Sequence, residues 1–126
     1  MKDQLTDNEI FNLIIEFSKA GMQEIRFTGG EPLVHRRVYD FIALAHQLGL
    51  YTSIGTNGTL ITTEVAKKLK SAGLDKAIIS IDGTEKSNDN IRGAGNYQRT
   101  IDGIKNLESN NIKVRINSVI MKSNID

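Results

Sequence analysis

The chain has 126 residues, a formal net charge of +1 and 25% charged residues, a size that fits one domain or part of one. So even a balance leaves no electrostatic footprint for nucleic acid or for a membrane surface, and no apolar run reaches membrane-spanning length and no signal peptide opens the chain, so a cytoplasmic protein is expected. There is no cysteine, which excludes disulfides and any thiolate-held metal or iron–sulfur cluster within these residues.

Residues 6–20 read as a helix. Thr6-Asp7-Asn8-Glu9 has the form of a capping box. Ile10, Leu13, Ile14, Phe17 and Ala20 recur at helical spacing, and Gly21 is a natural stop. From about 23 to 28, Ile25 and Phe27 alternate with Glu24, Arg26 and Thr28, which is a strand period. That strand runs into Gly29-Gly30-Glu31-Pro32. The glycines open backbone conformations closed to other residues, and Pro32 pushes Glu31 toward an extended conformation. A carboxylate is thus held at the carboxyl end of a strand, where open α/β sheets and barrels place their ligands.

A second helix is predicted over about 36–48, with Val38, Phe41, Ile42, Ala45 and Leu48 on one face, ending at Gly49. Leu50 to Thr56 is the next strand and leads into Thr56-Asn57-Gly58; a helix with Val65, Ala66, Leu69 and Ala72 follows and stops at Gly73. Lys76 to Asp82 is the third strand. Gly83 to Gly95 reads as a polar loop, Asn96 as the cap of a helix through Asn110, and Ile112 to Ile120 as the last strand.

Strands alternating with helices at this spacing predict an α/β fold: a parallel sheet of about four strands with right-handed crossover helices, an open sheet or an arc of a barrel. Strands buried on both faces should be almost continuously apolar. Here one face takes Ile25, Phe27, Ile79, Ile81, Val114 and Ile116, and the other gathers Arg26, Thr28, Ser80, Asp82, Arg115 and Asn117. That second face is either wet or internally paired, arginine to aspartate, or it is a ligand-holding concavity. In the latter case Arg26 and Arg115 suit carboxylate or phosphate groups, which arginine binds bidentately.

The Gly29–Pro32 string after a strand resembles the GGEP motif of radical S-adenosylmethionine (SAM) enzymes. Thr56-Asn57-Gly58 is similar to the family's TNG, Ser80-Ile81-Asp82-Gly83 to its S-[IL]-D-G, and Asn90-Ile91-Arg92-Gly93 with Asn96-Tyr97 to the loop that follows. Asn117 matches an asparagine of the fifth strand. The resemblance implies a partial (β/α)6 TIM-like barrel, with residues 1–126 as a fragment of that core. It implies that the Gly29–Pro32 backbone and Glu31 engage the SAM amino group, with Thr28 beside them in the cofactor site. Ser80 and Arg92 would approach the SAM carboxylate or ribose, Thr56, Asn57, Asp82 and Asn117 complete the cofactor site, and Arg26 and Arg115 face the substrate.

One departure is large. The C-x3-C-x2-C motif that holds the family's 4Fe–4S cluster is absent. The cluster supplies the electron that cleaves SAM, so this chain alone is expected to be inactive, with cofactors SAM here and the cluster only in a longer parent protein; no metal ligand and no catalytic residue is assigned. Two subgroups compete. The GTP 3',8-cyclase of molybdenum cofactor synthesis shares Arg26 and the run Val119-Ile120-Met121-Lys122, but differs at Gly55 and Arg115. The SPASM or twitch type, which matures peptides, haem d1 or quinone cofactors, shares the Ser80–Gly83 run and Arg92-Gly93. The substrate would be a small molecule or a peptide. A non-catalytic α/β ligand-binding or assembly module is the alternative. Two bare sheet edges predict self-association, as a homodimer through those edges. His35 and His46 lack metal-ligand spacing and read as helix-surface residues.

Overall fold

The computed structural model describes residues 4–122. The described residues form α1 Asp7–Lys19, β1 Glu24–Phe27, α2 Val38–Gln47, β2 Tyr51–Thr56, α3 Thr63–Ala72, β3 Lys76–Ser80, α4 Glu85–Arg92, α5 Asn96–Ser109 and β4 Lys113–Asn117, one helix between successive strands except for the two between β3 and β4. A short 3-10 turn, Pro32–Val34, follows β1. The strands form one sheet in the order β1-β2-β3-β4, every pair parallel. This is the expected α/β arc.

Local chemistry starts the elements where the sequence indicates. At the head of α1, the Thr6 hydroxyl accepts the Glu9 N–H at 3.2 Å and the Glu9 carboxylate accepts the Thr6 N–H at 2.8 Å, the reciprocal capping box. Thr62 caps α3 by accepting the Val65 N–H. Helices cover one face of the sheet over a core that includes Ile42, Ile54, Leu69, Ile79 and Leu107, each with no exposed surface. Burying an aliphatic side chain of this size contributes roughly 1.5–3 kcal/mol. A second cluster of Ile14, Phe41, Ala45 and Leu50 lies under α1 and α2, where Phe11 meets Phe41 edge-on at 4.9 Å.

Parallel register sets the other face. Arg26, Ser53, Lys76 and Lys113 share one row, and Gly55, Ile78 and Arg115 share the next. Ser80 and Asn117 pair above them. Because facing residues on neighbouring strands point the same way, the polar face predicted for β1, β3 and β4 is one continuous surface.

Three expectations are corrected. The stretch 83–95 is not all loop, since α4 occupies Glu85–Arg92, capped by Thr84. Its sequence, EKSNDNIR, carries no apolar stripe, and the one residue it buries is Asn88; a period built from apolar residues cannot reveal such a helix. Asn96 is not the cap of α5. Gly95 holds that position, and Asn96 is the first helical residue, its buried side chain accepting a hydrogen bond from Asn88 Nδ2 at 2.9 Å. The last strand ends at Asn117 rather than Ile120. Beyond it the Ser118 hydroxyl bonds the Ile81 carbonyl, and the Val119 N–H donates to Asp82 Oδ1 at 3.0 Å. Ile116 shares the face of Ile79 but is 46% exposed, because β4 is a sheet edge. No helix among the described residues is long and apolar enough to cross a membrane.

Candidate functional site

A hollow of about 350 Å³ opens on the polar face at the carboxyl ends of the strands. Its β1 wall is the turn after Phe27. Gly29 sits there at φ +118°, a conformation side chains resist, and Glu31 is extended at φ −108° and ψ 105°. The Glu31 carboxylate reaches across to β2. The Thr56 hydroxyl donates to Oε1, and the Asn57 N–H donates to Oε2 at 3.1 Å. Thr56 in turn accepts the Gly58 N–H at 3.2 Å. The two glycine-containing turns are therefore one unit, joined through a carboxylate. A carboxylate has about four lone-pair directions, so Glu31 keeps capacity for a cation in the hollow.

Asn57 serves this unit with its backbone. Its side-chain oxygen stays within its own turn, accepting Thr59 N at 2.9 Å and the Thr59 hydroxyl at 2.8 Å. α5 holds the turn from behind, where the Thr100 hydroxyl donates to the Asn57 carbonyl at 3.1 Å. The approach is close: a Cβ on Gly103 would stand 2.2 Å from the Gly58 carbonyl oxygen.

The opposite wall carries Ser80, Arg92 and Asn117. Arg92 Nε donates to Asp82 Oδ2 at 2.7 Å, and Asp82 is only 3% exposed. The Asp82 N–H donates to Asn88 Oδ1 at 2.9 Å. At the far end of α4, Asp89 accepts the N–H groups of Tyr97 at 2.7 Å and Gly95 at 3.0 Å. Those bonds, Tyr97 foremost, hold its carboxyl below the ordinary value of 3.8.

Most of the residues singled out in the sequence thus meet. Arg26, Thr28, Gly29, Gly30, Glu31, Thr56, Asn57, Ser80, Arg92 and Asn117 all border the hollow. Three do not. Pro32 borders a separate apolar hollow with Leu13 and Phe17 on the other side of β1. Asp82 lies behind Arg92, its oxygens taken by Arg92 and Val119. Arg115 lies on the same face, in the row of Ile78, outside the hollow. Among the described residues no carboxylate pairs with Arg26 or Arg115. Among the described residues, the arginine-to-aspartate pairing considered for this face is therefore found for Arg92 and Asp82, not for Arg26 or Arg115.

Sequence reasoning passed over Gly55 and Ile78, which floor the hollow. Register is the signal that finds them, since they face each other on neighbouring strands. It also passed over Ser53, fully buried between Arg26 and Lys76, whose hydroxyl has no hydrogen-bond partner among the described residues. Beside it in the same row, Lys76 reaches toward the amino end of this face, pairing with Glu24 at 3.6 Å and lying 5.4 Å from the Tyr51 ring centre.

Chemically, the hollow offers a fixed carboxylate on one wall and a guanidinium on the other, the pair that reads the ammonium and carboxylate of an α-amino acid. The donor set does not fit an iron–sulfur cluster: the chain has no cysteine, and no three His, Cys, Asp or Glu side chains converge on a metal-sized point among the described residues. His35 lies 3.4 Å from Asp7 instead.

The profile described as "Radical SAM superfamily" matches residues 2–126. The chain belongs to that superfamily. It is 34% identical over 125 residues to the AdoMet-dependent heme synthase of Methanosarcina barkeri, covering 98% of this chain and 36% of that protein. It is 37% identical over 127 residues to the GTP 3',8-cyclase of Lactiplantibacillus plantarum, covering 97% of this chain and 38% of that one. Among solved structures, SuiB of Streptococcus suis shares the fold with a TM-score of 0.79 at 22% identity, over 95% of this chain and 28% of SuiB. This radical SAM chain thus spans about a third of the length of the curated relatives it matches.

Proposed function

We propose that this chain is the SAM-binding portion of a radical SAM enzyme that cleaves SAM reductively to a 5'-deoxyadenosyl radical, in the service of cofactor biosynthesis or peptide maturation. The observation that carries the reading is the Glu31 carboxylate, fixed by Thr56 and Asn57 on the rim of a hollow that Arg92 also borders. Glu31 takes the SAM ammonium and Arg92 its carboxylate, with the bare Gly29–Gly30 backbone alongside. Thr28, Ser80 and Asn117 complete the polar lining, Pro32 sets the extended backbone of Glu31, and Asp82 acts through Arg92.

The substrate reading follows from the two arginines that no carboxylate pairs among the described residues. Arg26 and Arg115 supply counter-charges on the same face, which suits a cofactor precursor bearing several carboxylates or phosphates. The named relatives support this, because heme and GTP both carry acidic groups of that kind. In this superfamily a 4Fe–4S cluster supplies the electron for cleavage. With no cysteine to hold one, this chain by itself binds SAM without cleaving it, and works in the cytoplasm within a larger catalytic unit.

Titration calorimetry with SAM tests the reading. Glu31→Ala should weaken SAM binding by about tenfold or more, the scale of a lost charge-assisted contact, and the chain supplied with dithionite should release no 5'-deoxyadenosine. Equal SAM affinity in wild type and variant would favour the second reading, a non-catalytic binding or assembly module, for which the missing cysteines are the supporting observation.

A further inference from the structure

Arg92 borders the hollow with a side chain 29% exposed, and its one hydrogen bond to a described residue leaves from Nε. Both terminal amino groups therefore have no protein acceptor among the described residues. The acceptor on Nε, Asp82, is 3% exposed and cannot turn away, because its second oxygen is pinned by the Val119 N–H at 3.0 Å and its own N–H by Asn88 at 2.9 Å. Asn88 is itself fully buried and bonded to Asn96.

We propose that Asp82 is a positioning residue: by holding the Nε edge of Arg92 it turns the two free amino groups into the hollow, and so gives the site its preference for a ligand bearing a carboxylate. This deepens the SAM reading and rests on it. The arrangement is a guanidinium used on two edges, one spent on a buried protein carboxylate and one presented to the ligand, which arginine's planar fork permits and lysine's point charge does not.

The competing account is that Asp82 merely stabilises the loop after β3. The two accounts differ in sign. Removing the Asp82 charge would, by Coulomb's law alone, strengthen the pull of Arg92 on an anion. Loss of positioning weakens it.

The test uses calorimetry on the 126-residue chain with two probes, SAM and decarboxylated SAM, which lacks only the carboxylate. Wild type should prefer SAM. Asp82→Asn should lose about tenfold of that preference, the scale of one charge-assisted hydrogen bond, while its affinity for decarboxylated SAM stays within about twofold. In an Arg92→Ala background, Asp82→Asn should leave the ratio unchanged, which is the signature of action through Arg92. An unchanged or increased ratio in Asp82→Asn, or an equal loss for both probes, overturns the inference while leaving SAM binding intact. Wild type that binds neither probe overturns the SAM reading itself, and this inference with it.

A measurement on wild type keeps the proposal open to refutation if Asp82→Asn does not fold. In nitrogen-15 spectra the Arg92 Nε–H signal should stay put when SAM is added, and its terminal amino protons should become slowly exchanging with SAM but not with decarboxylated SAM. A terminal amino signal indifferent to SAM, or an Nε–H that leaves its partner, refutes it.

Discussion

Glu31 shows how a single carboxylate can be made into a fixed electrode. Its extended backbone comes from Pro32, its direction from the Thr56 hydroxyl and the Asn57 N–H. Thr56→Val keeps the side-chain shape and removes the donor. It should weaken SAM binding about fivefold and cost about 1–2 kcal/mol of stability by urea unfolding, since Glu31 and Gly58 each lose a partner. Asp89 makes a pH prediction. Its folded pKa is lowered, by the Tyr97 N–H first and the Gly95 N–H as well, against the opposing effect of desolvation. Its contribution is therefore complete above the unfolded value of 3.8 and disappears as pH falls through the lower folded value. Asp89→Asn should flatten the acid limb of a plot of melting temperature against pH, and an acid limb as steep as that of wild type would contradict this. At this scale the short strings Gly29–Pro32 and Thr56–Gly58 were legible, because each is contiguous. The bond between them was not, since Glu31 and Thr56 are 25 residues apart. Asp82 was misplaced for a related reason: strand alternation was carried past Ser80, where β3 ends and the rule no longer applies.

Among the elements, those with an apolar period were readable and α4 was not. α4 is attached by polar contacts, above all through Asn88, which bonds both the Asp82 N–H and Asn96. Such a network is stabilising only while every member is satisfied. Asn88→Ala should leave a buried donor and a buried acceptor unpaired and cost about 2–4 kcal/mol. Hydrogen exchange should then show α4 opening before the helices of the apolar core. If α4 and α5 lost protection together and equally, the Asn88 network would not be what attaches α4.

On the scale of the whole molecule, the sheet is an arc whose outer strands, β1 and β4, have one bare edge each among the described residues. The β4 side exposes Ile116 at 46% and Ile120 at 76%, and the β1 side opens the apolar hollow beside Phe27 and Phe17. Bare edges next to apolar surface favour pairing with another strand. Concentrated chain should therefore scatter light as a dimer, and Ile116→Lys should return it to monomer; a strictly monomeric wild type would refute edge pairing. The order of the strands was legible because each crossover is a short helical unit between strands. The end of β4 was not, because its stop is set by Ser118 and Val119 binding the end of β3.

The contact of Gly103 with the Gly58 carbonyl has a consequence for Glu31. α5 lies in the outer layer, yet only the missing Cβ of Gly103 lets it seat against the turn that supplies the Asn57 amide to Glu31. The Thr100 hydroxyl also ties the helix to the Asn57 carbonyl, so the seating of α5 sets where the Asn57 amide meets Glu31. Gly103→Ala would act as a wedge there. It should lower SAM affinity, read by titration calorimetry, from a position that does not line the hollow.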